Sequence, residues 1–186
     1  RGQGASAGKL ERGSRDCGVA GYAALRMDAL LFECPRLAVR ELGAADVPRV
    51  QALFDANPDY FVAVNGRTPA PDEAQTEFDE RPPPHIGFSR RWFCGAFDRA
   101  GVLQGVVIVL SDLSAPRVWH VALFLLAGAL HGSGAARGLY EAMEHWIARG
   151  GARWIRLGVV AGNRRAEAFW GRCGFDEVRV REGVDT

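Results

Sequence analysis

The segment Leu130-His131-Gly132-Ser133-Gly134-Ala135-Ala136 is where residue types and spacing first suggest chemistry in this 186-residue chain. It follows an apolar β-rich run, Val118–Leu126, and opens a helical pattern that continues to about Arg149. A helix entered through small residues offers backbone N–H groups without partners and the positive end of its dipole, which together suit a pyrophosphate. Glycines let the backbone approach an anion with no Cβ in the way. Taken alone, such a G-x-G turn serves nucleotide folds and plain helix starts equally well. The other reactive side chains do not gather into a centre. Cys17, Cys34, Cys94 and Cys173 contain no C-x-x-C pair, and His85, His120, His131 and His145 form no zinc signature, so no metal site is expected.

The elements that must position this turn are legible around it. Leu37, Val39 and Glu41 alternate with Ala38 and Arg40 as in a short strand. Val47, Val50 and Phe54 recur with helical spacing, in a helix entered near Asp46 and Pro48. Residues 57–84 are rich in Pro, Asp and Gly, and the pattern predicts one short helix there, about Asp72 to Glu80. Trp92–Phe97 and Val102–Leu110, joined by Asp98-Arg99-Ala100-Gly101, read as an antiparallel hairpin. In the long helix Leu139, Met143, Trp146 and Ile147 share one face, and Gly150-Gly151 end it. Trp154–Val160 is a further strand, Asn163 caps a short helix stopped by Gly174, and Phe175–Val184 is a last strand. The order implies an α/β fold: a mixed sheet with helices on both faces.

Composition narrows the class. An apolar share of 48% supports a real core, and a formal net charge of +1 points to neither nucleic acid nor an anionic membrane. The longest apolar stretch, Val121 to Leu130, is too short to span a bilayer. Scattered cysteines and the absence of a secretory segment favour the cytoplasm. Residues 1–36 read as a disordered or non-native tail, Gly-, Ser- and Arg-rich over the first 26, and residues 37–186 as one domain.

A second segment gives the glycine turn its meaning. Asn163-Arg164-Arg165-Ala166-Glu167-Ala168-Phe169-Trp170-Gly171-Arg172-Cys173-Gly174-Phe175 resembles the ending of the GNAT superfamily of acetyl-CoA-dependent N-acetyltransferases. There an Asn, an Ala, an aromatic pair and a final Gly-Phe recur at these offsets, one helix and one strand after the glycine turn. The resemblance covers about residues 118–175. It implies a twisted, mostly antiparallel mixed sheet and transfer of an acetyl group from coenzyme A to a primary amine of a small molecule or peptide. Residue by residue it implies that Leu126 offers its backbone N–H to the thioester carbonyl. His131, Gly132, Ser133, Gly134, Ala135 and Ala136 form the pyrophosphate cradle, and Asn163, Phe169 and Trp170 lie near the pantetheine arm. His120 is similar in position to a glutamate base of the histone-acetylating branch, and an unperturbed imidazole pKa of roughly 6.5 suits that work. Asp112 would orient this base or meet an ammonium, or serve only its turn. Tyr60, Phe61, Asn65 and Arg67 lie in the segment expected to roof the acceptor pocket.

Two positions depart from the family pattern. His131 stands where Gln or Arg is usual, and Trp170 where many members carry a tyrosine that protonates the departing thiolate. An indole N–H donates a hydrogen bond but is no acid near neutral pH. Tyr140 and Cys173 are possible substitutes. Two other readings follow: a non-catalytic acyl-CoA sensor or scaffold of the same fold, and a nucleotide-binding protein resting on the glycine turn alone. Against the second, a dinucleotide fold would place an acidic residue about 20 positions beyond its glycines, and Trp154 and Arg156 stand near that place instead. The resemblance also implies a final β-hairpin, only one strand of which fits before Thr186. Either a truncated chain or a homodimer through the open edge is therefore expected.

Overall fold

A computed structural model describes residues 30–178 of the chain. Six strands form one sheet in sequential order: β1 (Leu30–Glu33), β2 (Ala38–Glu41), β3 (Arg90–Phe97), β4 (Leu103–Ser111), β5 (Val118–Leu126) and β6 (Trp154–Leu157). Neighbours run antiparallel from β1 to β5, and β5–β6 alone is parallel. The helices are α1 (Val47–Asp55), α2 (Pro58–Asn65), α3 (Glu73–Asp79), α4 (Ala135–Arg149) and α5 (Arg164–Arg172). The fold is thus the α/β, mixed but mostly antiparallel sheet expected, with helices on both faces.

Alternation along the strands divides the core in two. On one face Trp92, Val107, Val109, Trp119 and Val121 meet Leu139, Met143 and Ile147 of α4 and Trp170 of α5. Each fully buried aliphatic of that stripe contributes about 1.5–3 kcal/mol. Trp92 stacks on Trp119 at 4.9 Å, and Trp146 meets both edge-on. On the opposite face Phe93, Val106, Ile108, Leu110, Leu123 and Leu125 meet Val50, Phe54, Phe61 and Ala74 of α1, α2 and α3. The β3–β4 turn is held by Asp98, whose carboxylate accepts from Ala100 N–H and Val102 N–H, and Gly101 supplies the left-handed φ of +77°.

Three expectations need correction. The N-terminal tail does not extend through residue 36: Leu30–Glu33 forms a strand on β2, with Phe32 buried against Trp146. The remainder of that tail lies outside the described residues. Residues 57–84 hold two helices, because Asn57-Pro58 starts α2 directly at the end of α1. Phe175 to Val178 carry no regular structure, and the rest of the expected last strand lies outside the described residues.

Two irregularities shape the functional face. Val109 pairs with Val121 and Ile108 with Leu123, so Ala122 is an extra residue on β5 with no counterpart on β4. Pairing of β5 with β6 runs only from Val118↔Trp154 to Val121↔Leu157, while β5 continues to Leu126. The strands therefore part just where the bulge lies, and a V-shaped cleft opens along the last residues of β5.

Candidate functional site

The cleft has a backbone edge whose polarity can be worked out. Ala127 N–H donates to Gln104 O on β4 at 2.8 Å. Successive peptides in a strand face opposite sides, so the N–H and C=O groups of Leu126 and Phe124 face away from β4, into the cleft. The Leu126 carbonyl accepts from His131 Nε2 at 3.1 Å, which agrees with that direction and places the proton on Nε2.

At the wide end of the cleft lies the glycine turn. Gly132 and Gly134 have φ of +75° and +82°, conformations that favour residues without a Cβ, and space beside both is open. Ser133 Oγ donates to Leu130 O and accepts from Ala135 N–H. Ser133 N–H donates to Leu130 O and Gly138 N–H to Gly134 O. Among the described residues nothing accepts from the N–H groups of Gly132, Gly134, Ala136 and Arg137. Four free donors at the head of a 15-residue helix make an anion cradle.

Helix α5 walls the cleft on the α4 side. Asn163 spends its side chain capping α5, with Oδ1 accepting from Ala166 N–H at 3.1 Å. Phe169 stacks on Phe124 at 5.9 Å, and buried Trp170 meets Phe124, Tyr140, Phe169 and Phe175 edge-on. Neither possible substitute acid is poised to titrate. The Tyr140 hydroxyl donates to Glu144, and burial together with that carboxylate holds its pKa above the usual phenol value. Burial also raises the Cys173 thiol.

The other face carries the titratable groups. His120 lies in register with Leu110 on β4 and Arg156 on β6, one step before the strands part. Burial, then the Arg156 charge, lowers its pKa, so the imidazole is neutral through physiological pH. In the same row on β3, Arg91 pairs with Leu110 and its guanidinium donates to the Glu77 and Phe78 carbonyls of α3. That leaves the Glu77 carboxyl on the inner face of α3 without an ion-pair partner among the described residues. Burial, reinforced by Glu80 and then Glu73, pushes its pKa up to about 7. Tyr60, on α2, is pushed up to about 12 by burial and by Glu77.

The structure thus brings together Leu126, the turn 131–136, Phe169 and Trp170 along the cleft, and sets His120 and Tyr60 on the opposite side of the sheet. Several expected roles do not survive. Phe61 is a core residue, 1% exposed and packed on Phe54, so it cannot meet a substrate. Asn65 and Arg67 both bond the buried Glu73, which also accepts from Ala70 N–H, and so hold the α2–α3 connection. Asp112 is a turn residue: its carboxylate accepts from Arg117 N–H at 2.6 Å, and Ser89 and Arg117 hold its pKa below the usual range. His120 and Leu126 stand at opposite ends of one strand, roughly 20 Å apart at the usual rise per residue, so they cannot serve one reacting carbon.

Sequence reasoning missed Glu77 and Asn57. Glu77 could have been found from the inward spacing of Ala74, Glu77 and Phe78 on one face of α3. Asn57 carried only the helix-start signal of Asn-Pro, and its contacts across the molecule leave no local trace. No three His, Cys, Asp or Glu among the described residues lie close enough to hold a metal ion, and no described helix is long and apolar enough to cross a membrane.

A family model described as the acetyltransferase (GNAT) family matches residues 50–175. Among solved structures, an acetyltransferase from Thermus thermophilus superposes with a TM-score of 0.64 at 21% identity, covering 77% of this chain and 89% of that one. PaiA N-acetyltransferase from Thermoplasma acidophilum in complex with coenzyme A gives 0.56 at 15% identity, covering 79% and 93%. AAC(6')-Iy in complex with the bisubstrate analogue CoA-S-monomethyl-acetylneamine gives 0.57 at 16%, covering 82% and 99%. At these identities the likeness is one of fold. No curated protein matches the chain.

Proposed function

The chain belongs to the acetyltransferase (GNAT) family, and from that premise we propose that it transfers an acetyl group from acetyl-CoA to a primary amine by direct attack. The observation that carries this reading is the continuity of the cleft. The edge of β5 beyond its pairing with β6 leads, through the turn 127–131, to four N–H groups at the head of α4 that have no acceptor among the described residues. An extended amide-bearing arm ending in a pyrophosphate matches both parts.

Gly132, Gly134, Ala136 and Arg137 would bind the pyrophosphate through their N–H groups, with His131 bracing the Leu126 carbonyl beside them. Phe124 and Leu126 would pair with the arm, and Phe169 and Trp170 would shield it. Bound acetyl-CoA would supply the thioester and hence the activated acyl carbon. Because His120 is near the apex of the V, the reacting end belongs there, and Leu126 keeps a binding role. The oxyanion contact then falls to the unpaired bulge peptide at Ala122. His120, neutral at its lowered pKa, accepts the proton that the amine loses as its nitrogen forms the bond to carbon. The C–S bond breaks and the thiolate takes its proton from water, since neither Trp170 nor Tyr140 is placed to give one. Tyr60 and Glu77 would meet the acceptor from α2 and α3.

The buried Trp170 favours one second reading, an acyl-CoA-binding sensor or scaffold of the same fold. Thiol release from acetyl-CoA over a panel of small amines, with calorimetric titration of coenzyme A and of ATP, separates the readings. Thiol release above the rate without protein supports the enzyme, tight coenzyme A binding without release supports the sensor, and preference for ATP defeats both.

A further inference from the structure

Asn57 joins the two sides of the site. It is only 8% exposed, and both ends of its amide are used. Nδ2 donates to Leu53 O at 2.7 Å, closing the last turn of α1, and Oδ1 accepts from Gly128 N–H at 2.7 Å, across 71 positions of sequence. The partners fix the amide orientation, because a carbonyl can only accept and an N–H only donate. Tyr60 N–H in turn donates to Asn57 O at 3.2 Å, so the residue that grips Gly128 also begins the helix that carries Tyr60.

Gly128 lies in the middle of a short segment with ligand-facing groups at both ends. At one end is Leu126, whose N–H and C=O face the cleft, and at the other the free N–H groups of Gly132 and Gly134. A ligand occupying cleft and cradle would hold that segment at both ends, and the Asn57 amide is what transmits the restraint to the α1–α2 corner. We propose that Asn57 is a positioning residue that couples occupancy of the acyl-donor cleft to how firmly α2, and with it Tyr60, is held. This rests on the acyl-CoA reading above. It adds that the α1–α2 corner responds to the donor, and that the response runs through one buried amide.

Amide hydrogen exchange with coenzyme A as the probe tests it. In the wild-type protein, saturating coenzyme A should slow exchange across α2 (Pro58–Asn65) about tenfold, the equivalent of one such hydrogen bond held more firmly. In Asn57→Ala, coenzyme A should still protect the 132–137 cradle while protection of α2 disappears. A merely structural asparagine would raise α2 exchange equally with and without ligand. Equal ligand-induced protection of α2 in wild type and variant overturns the proposal. So does coenzyme A binding to wild type that protects the cradle and leaves α2 unchanged, a result that needs no variant to fold. If calorimetry finds no binding to wild type at all, the acyl-CoA reading falls and this proposal falls with it.

Discussion

The two sides of the proposed site, one for the donor and one for the acceptor, are built from different materials. The donor cleft is backbone: two N–H groups on the edge of β5 and four more at the start of α4. The acceptor side is side chain: His120 on β5, Tyr60 on α2 and Glu77 on α3, each shifted by burial and by neighbouring charges. A backbone site depends on conformation, so it tolerates changes of residue type that leave φ and ψ intact. A side-chain site depends on identity and on packing between distant segments. Substitution therefore affects the two sides in different ways.

The largest effect is expected on the acceptor side. His120→Ala should lower turnover roughly 10²–10⁴-fold with coenzyme A binding unchanged. In the wild type, the acidic limb of the pH–rate profile should lie below the usual imidazole value, since burial and Arg156 favour the neutral ring. An unchanged profile in the variant would remove His120 from the mechanism and with it the acceptor side as described.

Next comes the donor side. At Gly134, φ is +82° and nothing lies within reach of an added Cβ, so the cost of a side chain there is conformational and electrostatic, not steric. Gly134→Asp should weaken coenzyme A binding roughly 10²-fold, from left-handed strain and a carboxylate placed against phosphate. Equal affinity by calorimetry would contradict the backbone cradle.

These two sides were also unequally legible. The glycine turn could be read because glycine is a local signal: Gly132 and Gly134 occur where positive φ is needed. The Asn163-to-Phe175 segment was equally local, and its cap, aromatic wall and terminal Gly174 all lie within one short helix and its end. The acceptor side is a product of tertiary contact. Phe61 and Tyr60 are adjacent and aromatic, yet one is core and the other has its pKa raised by burial and then by Glu77; only the packing of α2 against α3 and the sheet decides which. Which of His120 and Leu126 lies nearer the opening of the sheet was hidden for another reason. Position along a strand shows how far apart two residues lie, but not where the neighbouring strand departs, and that is set by the Ala122 bulge and the end of β6. Strand β1 escaped because Leu30–Glu33 is only four residues long, too brief for an alternation to register.

The smallest effect concerns stability and separates Glu77 from its neighbours. A carboxyl raised in the native state binds more protons than the unfolded chain between about pH 4.5 and 7, so stability declines with rising pH across that window and is level above it. Glu77→Gln should flatten the decline and stabilise the protein above pH 7 by on the order of 1–3 kcal/mol, as read by denaturant unfolding. An unaltered pH dependence would mean that the carboxyl is solvated and not a feature of the acceptor side.

Coenzyme A titration followed by amide resonances tests the central claim most directly, because the claim is about particular N–H groups. The signals of Phe124, Leu126, Gly132, Gly134, Ala136 and Arg137 should move together and saturate at one affinity, while ATP at the same concentration should leave Phe124 and Leu126 in place. Shifts confined to the turn and produced alike by ATP would show a nucleotide site without an arm-binding strand, and would contradict the account.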